Sequence, residues 1–297
     1  MSSATSRFQV REPPTELRVG DEPTRLITQF PERGRCYHLR WSIRLLLQHD
    51  RNEMLSPEED GYGRLIYDHY RGIPSAEVIE RDDGWFGTSA GAPAYFAPFE
   101  EWLPHQRHAM RSVHGRVLDV GCGAGRVALH LQDRGHEVVA VDLSPLAIKT
   151  CRLRGVSDAR VLPITRVSRR LGEFDTVIML GNNFGLFADP RRARWLLKRF
   201  HGLTSPKARI LAESRHPYQA TQPDHRRYQQ FNRQRGRLPG QLRLRVRCGY
   251  ACTPWFDYLL VSPREMRSIL SGTGWRVARL LQSGSPVYIA VLEKVAV

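Results

Sequence analysis

A glycine-rich turn between two apolar segments is the stretch of this sequence best suited to bind a ligand. The turn, residues 121–125, reads GCGAG and follows the strand-like segment 117–120. Three glycines in five residues let the backbone approach a bound molecule closely. A helix beginning at this turn would direct free N–H groups and the positive end of its dipole at a carboxylate or phosphate. The pattern therefore predicts a buried strand, a binding turn and a helix.

Two carboxylates flank the turn. Asp119 lies two residues before the first glycine, and Asp142 ends the next apolar segment, 137–141. An acid about 20 residues after the glycines is typical of a ribose acceptor in nucleotide-binding folds. The third glycine is misplaced for the dinucleotide fingerprint G-x-G-x-x-G. A plain α/β turn without a ligand is the alternative to a binding site.

The segments VLDVGCGAG (117–125) and VVAVD (138–142) resemble the first two motifs of class I S-adenosylmethionine-dependent methyltransferases. The resemblance implies that the glycine turn surrounds the methionine part of the cofactor, that Asp119 contacts its amino group and that Asp142 takes the ribose hydroxyls. The cofactor-binding residues implied in this way are Asp119, Gly121, Cys122, Gly123, Gly125, Asp142, Leu143, Ile164, Gly181, Asn182 and Asn183.

Two of these assignments depart from the family pattern or have another explanation. After the third strand the chain reads Pro163-Ile164-Thr165, where many relatives carry an acid for the adenine amino group. The resemblance therefore leaves adenine to backbone groups and Ile164. Asn182 and Asn183 follow the fourth strand, which the family has beside the methyl donor. They also suit a turn, because Asn readily adopts left-handed backbone angles.

The order of the remaining segments predicts an α/β fold of the Rossmann-like, doubly wound type. Strands are expected near 161–162, 175–180 and 208–212, and the sheet is expected to end in an antiparallel edge at 275–281 and 287–291. We divide the chain into a loosely packed arm (1–36), an N-terminal helical and aromatic cap (37–114), and an S-adenosylmethionine-binding domain (115–297). That domain carries an insertion at 217–261.

Catalytic candidates follow the fifth predicted strand. His216 is the best-placed general base, because its unperturbed pKa is about 6.5. Glu213 and Tyr218 are the next candidates. A histidine at a strand end is often structural, and an amine acceptor needs no base at all.

Aromatic residues concentrate ahead of the glycine turn. They lie in 62–70, at 85–86 and in 95–102, and they either line an acceptor pocket or form the floor of the cap. A helix with an amphipathic pattern is predicted at 37–49. His105, with Arg107, His108 and Arg111, is expected on the solvated face of a helix that leads into the first strand.

The charge of the chain allows more than one partner. The 297 residues carry a net charge of +15, and only four of the 45 basic residues are lysines. Residues 217–250 hold eight arginines and one acid. This arginine-rich stretch suits a solvated face, a small acidic substrate or nucleic acid phosphates. The five scattered cysteines do not indicate a disulfide framework, and we predict no metal site.

These observations favour a methyltransferase that uses S-adenosylmethionine to methylate an oxygen or nitrogen of a small metabolite. The alternatives are an RNA methyltransferase that uses the arginine-rich segment 226–247 and a non-catalytic protein that binds the cofactor. The sequence shows no apolar stretch of a signal peptide or membrane span. We therefore expect a cytoplasmic enzyme without membrane contact, as a monomer or homodimer.

Overall fold

Strands and helices alternate through the middle of the chain, as the sequence predicts. The computed structural model describes residues 54–89 and 91–295, which lie within the unit Glu53–Val297. The strands of these residues are β1 (Glu77–Arg81), β2 (Phe86–Gly87), β3 (Val117–Val120), β4 (Val138–Asp142), β5 (Ala159–Val161), β6 (Phe174–Met179), β7 (Thr204–Arg215), β8 (Gln241–Cys248), β9 (Ala251–Cys252), β10 (Phe256–Leu259), β11 (Trp275–Gln282) and β12 (Val287–Lys294). The α-helices are α1 (Gly61–Tyr70), α2 (Pro104–Ala109), α3 (Arg126–Gln132), α4 (Pro145–Leu153), α5 (Pro190–Gly202), α6 (Pro223–Gln234) and α7 (Pro263–Leu270).

The larger sheet of the described residues has seven strands in the order β11-β12-β7-β6-β3-β4-β5. The strands from β7 to β5 are parallel to one another, and β12 and β11 continue the sheet antiparallel. The order reverses between β3 and β6, which is where open α/β sheets bind ligands. This topology confirms the predicted Rossmann-like α/β fold with an antiparallel edge.

Helices cover both faces of this sheet. Leu118 and Val120 of β3 pack into one apolar cluster with Leu197 of α5. Val117, on the opposite face of the same strand, packs into a second cluster with Leu131 of α3. Strands buried on both faces read as nearly continuous apolar runs, which is why the pattern at 117–120 and 138–141 was visible in the sequence.

A smaller, wholly antiparallel sheet combines residues from both ends of the described chain. Its order is β10-β8-β1-β2, and the short strand β9 also pairs with β8. In the register of β1 and β8, Ile79 lies opposite Val246 and Glu80 opposite Arg245. The cap segment and the insertion, which lie far apart in the sequence, thus share one sheet.

Helix α1 packs against α4 and the smaller sheet through its first turn. Asp60 caps α1 by accepting a hydrogen bond from the Gly63 amide at 3.0 Å. The same carboxylate accepts bonds from Ser144 Oγ at 2.8 Å and the Leu146 amide at 2.9 Å, at the start of α4. A Cβ atom at Gly61 would collide with the Val246 carbonyl, and one at Gly63 would collide with Ser144. The two glycines therefore permit the close approach.

Part of the predicted insertion is a helix with a buried face. Residues 223–234 form α6, in which Tyr228 and Asn232 are buried. The Tyr228 hydroxyl donates to Asp82 at 2.6 Å, and Asn232 Nδ2 donates to the Gln241 carbonyl at 2.8 Å. The sequence of this helix shows no apolar stripe, because its buried side chains carry polar groups that form hydrogen bonds.

The predicted arm (1–36) and the predicted helix at 37–49 lie outside the described residues. Within the described part, no helix is both long and apolar enough to cross a lipid bilayer.

Candidate active site

The glycine turn connects β3 to α3 at the carboxyl edge of the larger sheet. Gly121 has φ 72° and Gly123 has φ 56°, values that L side chains rarely adopt. Asn183 Nδ2 donates to the carbonyls of Val120 and Gly121, both at 2.9 Å. A Cβ atom at Gly121 would lie 2.5 Å from that nitrogen. The side-chain amide of Asn183, which follows the neighbouring strand β6, therefore holds the turn in place.

Asp119 lies beneath this turn with an incomplete set of partners. Its side chain is 3% exposed, and Oδ2 has no hydrogen-bond partner among the described residues. Burial raises the pKa of the carboxyl to about 7, although Arg126 acts in the opposite direction. A buried carboxylate is costly unless a cation or donor satisfies it. The position is therefore suited to a positively charged ligand group.

Asp142 ends β4 and joins the glycine turn to the next helix. Its Oδ2 accepts from the Gly123 amide at 3.0 Å, and Oδ1 accepts from the Ser144 amide at 2.9 Å. Loss of water around the carboxyl raises its pKa, while the backbone donors at 123 and 144 lower it. Leu143, which follows, is 42% exposed. Ile164 begins a short 3₁₀ turn after β5 and is partly buried.

Glu213 and Asn182 form the part of the site below the end of β6. Asn182 has φ 64°, as the turn explanation requires, and its Oδ1 is buried without a partner among the described residues. The backbone amide of Asn182 donates to Glu213 Oε1 at 3.1 Å. Glu213 is 2% exposed, and burial raises the pKa of its carboxyl. The backbone after Gly181 is thus anchored by a buried acid.

Two residues of this network were not identified from the sequence. Gln106 of α2 donates from Nε2 to Glu213 Oε2 at 2.7 Å, and its Oε1 accepts from Arg126 Nη2 at 3.1 Å. The Arg126 guanidinium carbon lies 4.6 Å from the centroid of the Trp102 ring. Nothing in the local sequence marks Gln106, which lies on a short helix before the first parallel strand. For Arg126, the sequence offers one indication, its position next to Gly125.

Helix α2 also corrects the expectation of a solvated face. His105 is buried, and its Nδ1 shares a hydrogen bond of 2.6 Å with Ser283 Oγ. Arg107, His108 and Arg111 are exposed, as expected. His105 faces inward because α2 packs against the antiparallel strands β11 and β12, whose position the local sequence does not indicate.

His216 and Tyr218 follow the end of β7. The His216 amide donates to the Pro286 carbonyl at 2.8 Å, and its buried Nδ1 has no partner among the described residues. The Tyr218 hydroxyl donates to Glu265 Oε1 at 2.6 Å. Burial and this carboxylate raise the pKa of Tyr218 to about 12, so its hydroxyl gives up a proton reluctantly at neutral pH.

Two tyrosines from separate segments lie at the glycine turn and at Asn182. The Tyr95 ring lies 3.0 Å from the position of a Cβ at Gly123. The Tyr258 hydroxyl donates to the Asn182 carbonyl at 2.7 Å. Burial raises the pKa of both phenols and of Tyr62 on α1, which interacts electrostatically with each of them. Tyr62 and Tyr95 belong to the cap segment and Tyr258 to the insertion, and we call the three side chains the aromatic cover.

The arginine-rich stretch is partly neutralised by two acids of the smaller sheet. Glu80 of β1 pairs with Arg245 and Arg247 of β8. Asp257 of β10 lies 3.6 Å from Arg243. Opposite charges across neighbouring strands stabilise a sheet, and they reduce the charge available to a phosphate backbone.

Comparisons with known proteins agree with this geometry. A family described as a methyltransferase domain matches residues 117–207. A 2-heptyl-1-hydroxyquinolin-4(1H)-one methyltransferase of Mycobacteroides abscessus is 39% identical over 72 residues, covering 22% of this chain and 32% of the relative. A ubiquinone biosynthesis O-methyltransferase of Methylocella silvestris is 38% identical over 86 residues, covering 27% and 34%. The chain thus spans about a third of the length of these curated relatives.

A solved structure extends the similarity over most of the chain. The S-adenosylmethionine-dependent methyltransferase from Bacteroides fragilis, in complex with S-adenosyl-L-homocysteine, is 25% identical with a TM-score of 0.69. The match covers 82% of this chain and 98% of that structure. The α/β fold and the glycine turn together are typical of domains that bind nucleotide-containing cofactors. Residues 117–207 therefore carry a methyltransferase domain of the class I S-adenosylmethionine-dependent type, whose cofactor is S-adenosylmethionine.

Proposed function

We propose that the protein transfers the methyl group of S-adenosylmethionine to an oxygen or nitrogen atom of a small metabolite. The observation that carries this proposal is the aromatic cover of Tyr62, Tyr95 and Tyr258, because it brings aromatic side chains of the cap segment and the insertion beside the glycine turn and Asn182. An aromatic surface suits a small organic acceptor. The names of the two curated relatives refer to a quinolone and to ubiquinone biosynthesis, which supports the same substrate class.

The proposed binding of the cofactor rests on Asp119 and the glycine turn. Asp119 has a buried oxygen without a partner among the described residues, and an ammonium group of the methionine part would satisfy it. Gly121, Gly123 and Gly125, with Cys122 between them, give the turn its left-handed backbone angles and allow Asn183, Tyr95 and Val156 to pack directly against it. The free amides at the start of α3 suit the carboxylate of the same part.

The ribose and adenine are assigned to the next two strand ends. Asp142 would accept hydrogen bonds from the ribose hydroxyls while it holds the amides at 123 and 144. Leu143 and Ile164 supply apolar surface for the adenine. Gly181, Asn182 and Asn183 lie at the end of β6, where Asn183 fixes the turn and Asn182 follows the backbone anchored by Glu213.

The chain's contribution to catalysis is mainly alignment. When bound, S-adenosylmethionine supplies a methyl group already activated by its sulfonium. Holding two reactants in a near-attack arrangement can contribute about 7 to 11 kcal/mol. We assign proton removal from the acceptor to His216, because its buried Nδ1 has no partner among the described residues. Glu213 positions the backbone at Asn182, and Tyr218 lies beside the His216 ring with a centroid distance of 5.7 Å.

Transfer of a labelled methyl group tests the proposed reaction. The purified protein would be incubated with methyl-labelled S-adenosylmethionine and an extract of the source organism. Label is expected among small molecules. Label that ribonuclease removes would instead support the RNA enzyme, and no transfer despite cofactor binding would support a non-catalytic binding protein.

Two variants test His216 once an acceptor is known. His216→Gln is expected to lower kcat at least tenfold and to change its pH profile, with cofactor affinity unchanged. Tyr218→Phe is the matched control, because it keeps the ring beside His216 and removes only the hydroxyl. An unchanged pH profile in His216→Gln would remove the assignment of the base.

A further inference from the structure

A cavity of about 410 Å³ lies between α1, β1 and residues 88, 89 and 91–93. Its lining includes Leu65, His69, Glu77, Ser89, Ala92 and Pro93. The volume is within the range of small-molecule sites, about 300 to 1,000 Å³. The walls come from the cap segment, and none of the lining residues is among those assigned to the cofactor.

Glu77 is a buried acid on the wall of this cavity. It is 2% exposed, and its Oε1 accepts a hydrogen bond from Ser89 Oγ. Its Oε2 is buried without a hydrogen-bond partner, and no ion pair of Glu77 occurs among the described residues. An acid in this state is costly unless a cation compensates its charge. His69, the other titratable group on the wall, is exposed, and its ring centroid lies 4.7 Å from that of Phe96.

Tyr95 connects the cavity with the cofactor turn. Its side chain packs against the apolar cluster of Leu65, Ala92 and Cys248, two members of which line the cavity, and also against the cluster of Ile66, Ala124 and Ala147. Tyr95 therefore lies between the cavity wall and the glycine turn. Aromatic rings also favour cations over their faces, which adds to the attraction of a buried carboxylate.

We propose that this cavity binds the acceptor through a protonated nitrogen that pairs with Glu77. The acceptors would then be amine-bearing small molecules whose methylated atom lies at the other end, toward Tyr95 and the glycine turn. Glu77 is a specificity residue in this account. The inference rests on the proposed function, since it assigns the substrate class of the same enzyme.

Binding of matched amines and alcohols tests this assignment. Benzylamine, phenethylamine and tryptamine would be titrated at pH 7.5 in a calorimeter with S-adenosyl-L-homocysteine present, alongside the alcohols of the same carbon skeletons. We expect the best amine to bind at least tenfold tighter than its alcohol. Glu77→Gln should remove this preference. Glu80→Gln is the matched control on the same strand, where the acid pairs with surface arginines, and it should retain the preference.

Three outcomes would overturn the inference: equal or tighter binding of the alcohols, no binding of any amine up to 50 mM, or a preference that survives in folded Glu77→Gln. The comparison in the wild-type protein decides the matter even if the variant does not fold. A separate titration of S-adenosyl-L-homocysteine distinguishes a failure of the proposed function from a failure of the role given to Glu77. Absence of that binding contradicts the proposed function, whereas normal binding without an amine preference contradicts only the role of Glu77.

Discussion

The two sheets of this protein differ in how far apart in the chain their partners lie. The parallel strands of the larger sheet follow one another through short βαβ units, and the glycine turn and Asp142 lie within one such unit. In the smaller sheet, Glu80 and Arg245 are 165 residues apart in sequence but pair directly. Cofactor residues are therefore local in the sequence, whereas the acceptor side is assembled by long-range pairing.

The largest expected effect is on the cofactor side, at Gly121. Gly121→Ala would place a Cβ 2.5 Å from Asn183 Nδ2 and 2.9 Å from Leu186, at φ 72°. Left-handed strain and overpacking together should lower the free energy of unfolding by about 3 kcal/mol. We also expect affinity for S-adenosyl-L-homocysteine to fall at least 100-fold, measured by calorimetry.

Gly135→Ala is the control for backbone strain alone. Gly135 has φ 82°, and an added Cβ would meet no atom within 4 Å. A loss of about 1 kcal/mol with unchanged cofactor affinity is expected. Equal effects of the two substitutions would contradict the role given to Asn183.

The next prediction concerns the contact between α1 and α4. Asp60→Ala should lower the free energy of unfolding by about 2 to 3 kcal/mol, because three buried donors lose their acceptor. Asp189→Ala, which removes the cap of α5 alone, should cost about 1 kcal/mol in urea unfolding. Similar losses would show that Asp60 acts only as an ordinary helix cap.

The dependence of cofactor binding on pH tests Asp119. A cationic ligand group favours the ionised carboxylate, so affinity for S-adenosyl-L-homocysteine should fall as the pH drops from 8 to 6, through the pKa of about 7. Asp119→Asn should bind about tenfold more weakly at pH 8, with a flat profile. A pH-dependent profile in this variant would assign the titration to another group.

Asp119 also affects the stability of the ligand-free protein. Its folded pKa of about 7 is raised by burial above the value of the unfolded chain, about 3.9. Protons therefore favour the folded state, and the contribution of this group to stability is lost as the pH rises from about 4 to 7. The decrease in the free energy of unfolding between about pH 4 and 7 should be smaller in Asp119→Asn.

The smallest expected effect is on the surface of the smaller sheet. Arg247 is 46% exposed in its pair with Glu80. Arg247→Gln should change the free energy of unfolding by less than about 1 kcal/mol. A loss above 2 kcal/mol would mean that the cross-strand pair is essential to this sheet.

The same contrast explains what the sequence could predict. The glycine turn, Asp119, Asp142 and the order of the larger sheet's strands follow from local patterns. Residues such as Asp60 and Gln106 acquire their importance only from partners far along the chain. Nothing in the segments around them indicates that they are buried, since polar residues usually lie at the surface.

Hydrogen exchange with and without S-adenosyl-L-homocysteine tests most directly whether the larger sheet alone holds the cofactor. We predict slower exchange of the backbone amides at 121–125, 143–144 and 181–183, with little change at 241–259. Protection mainly at 241–259, or no protection at the glycine turn, would contradict the account.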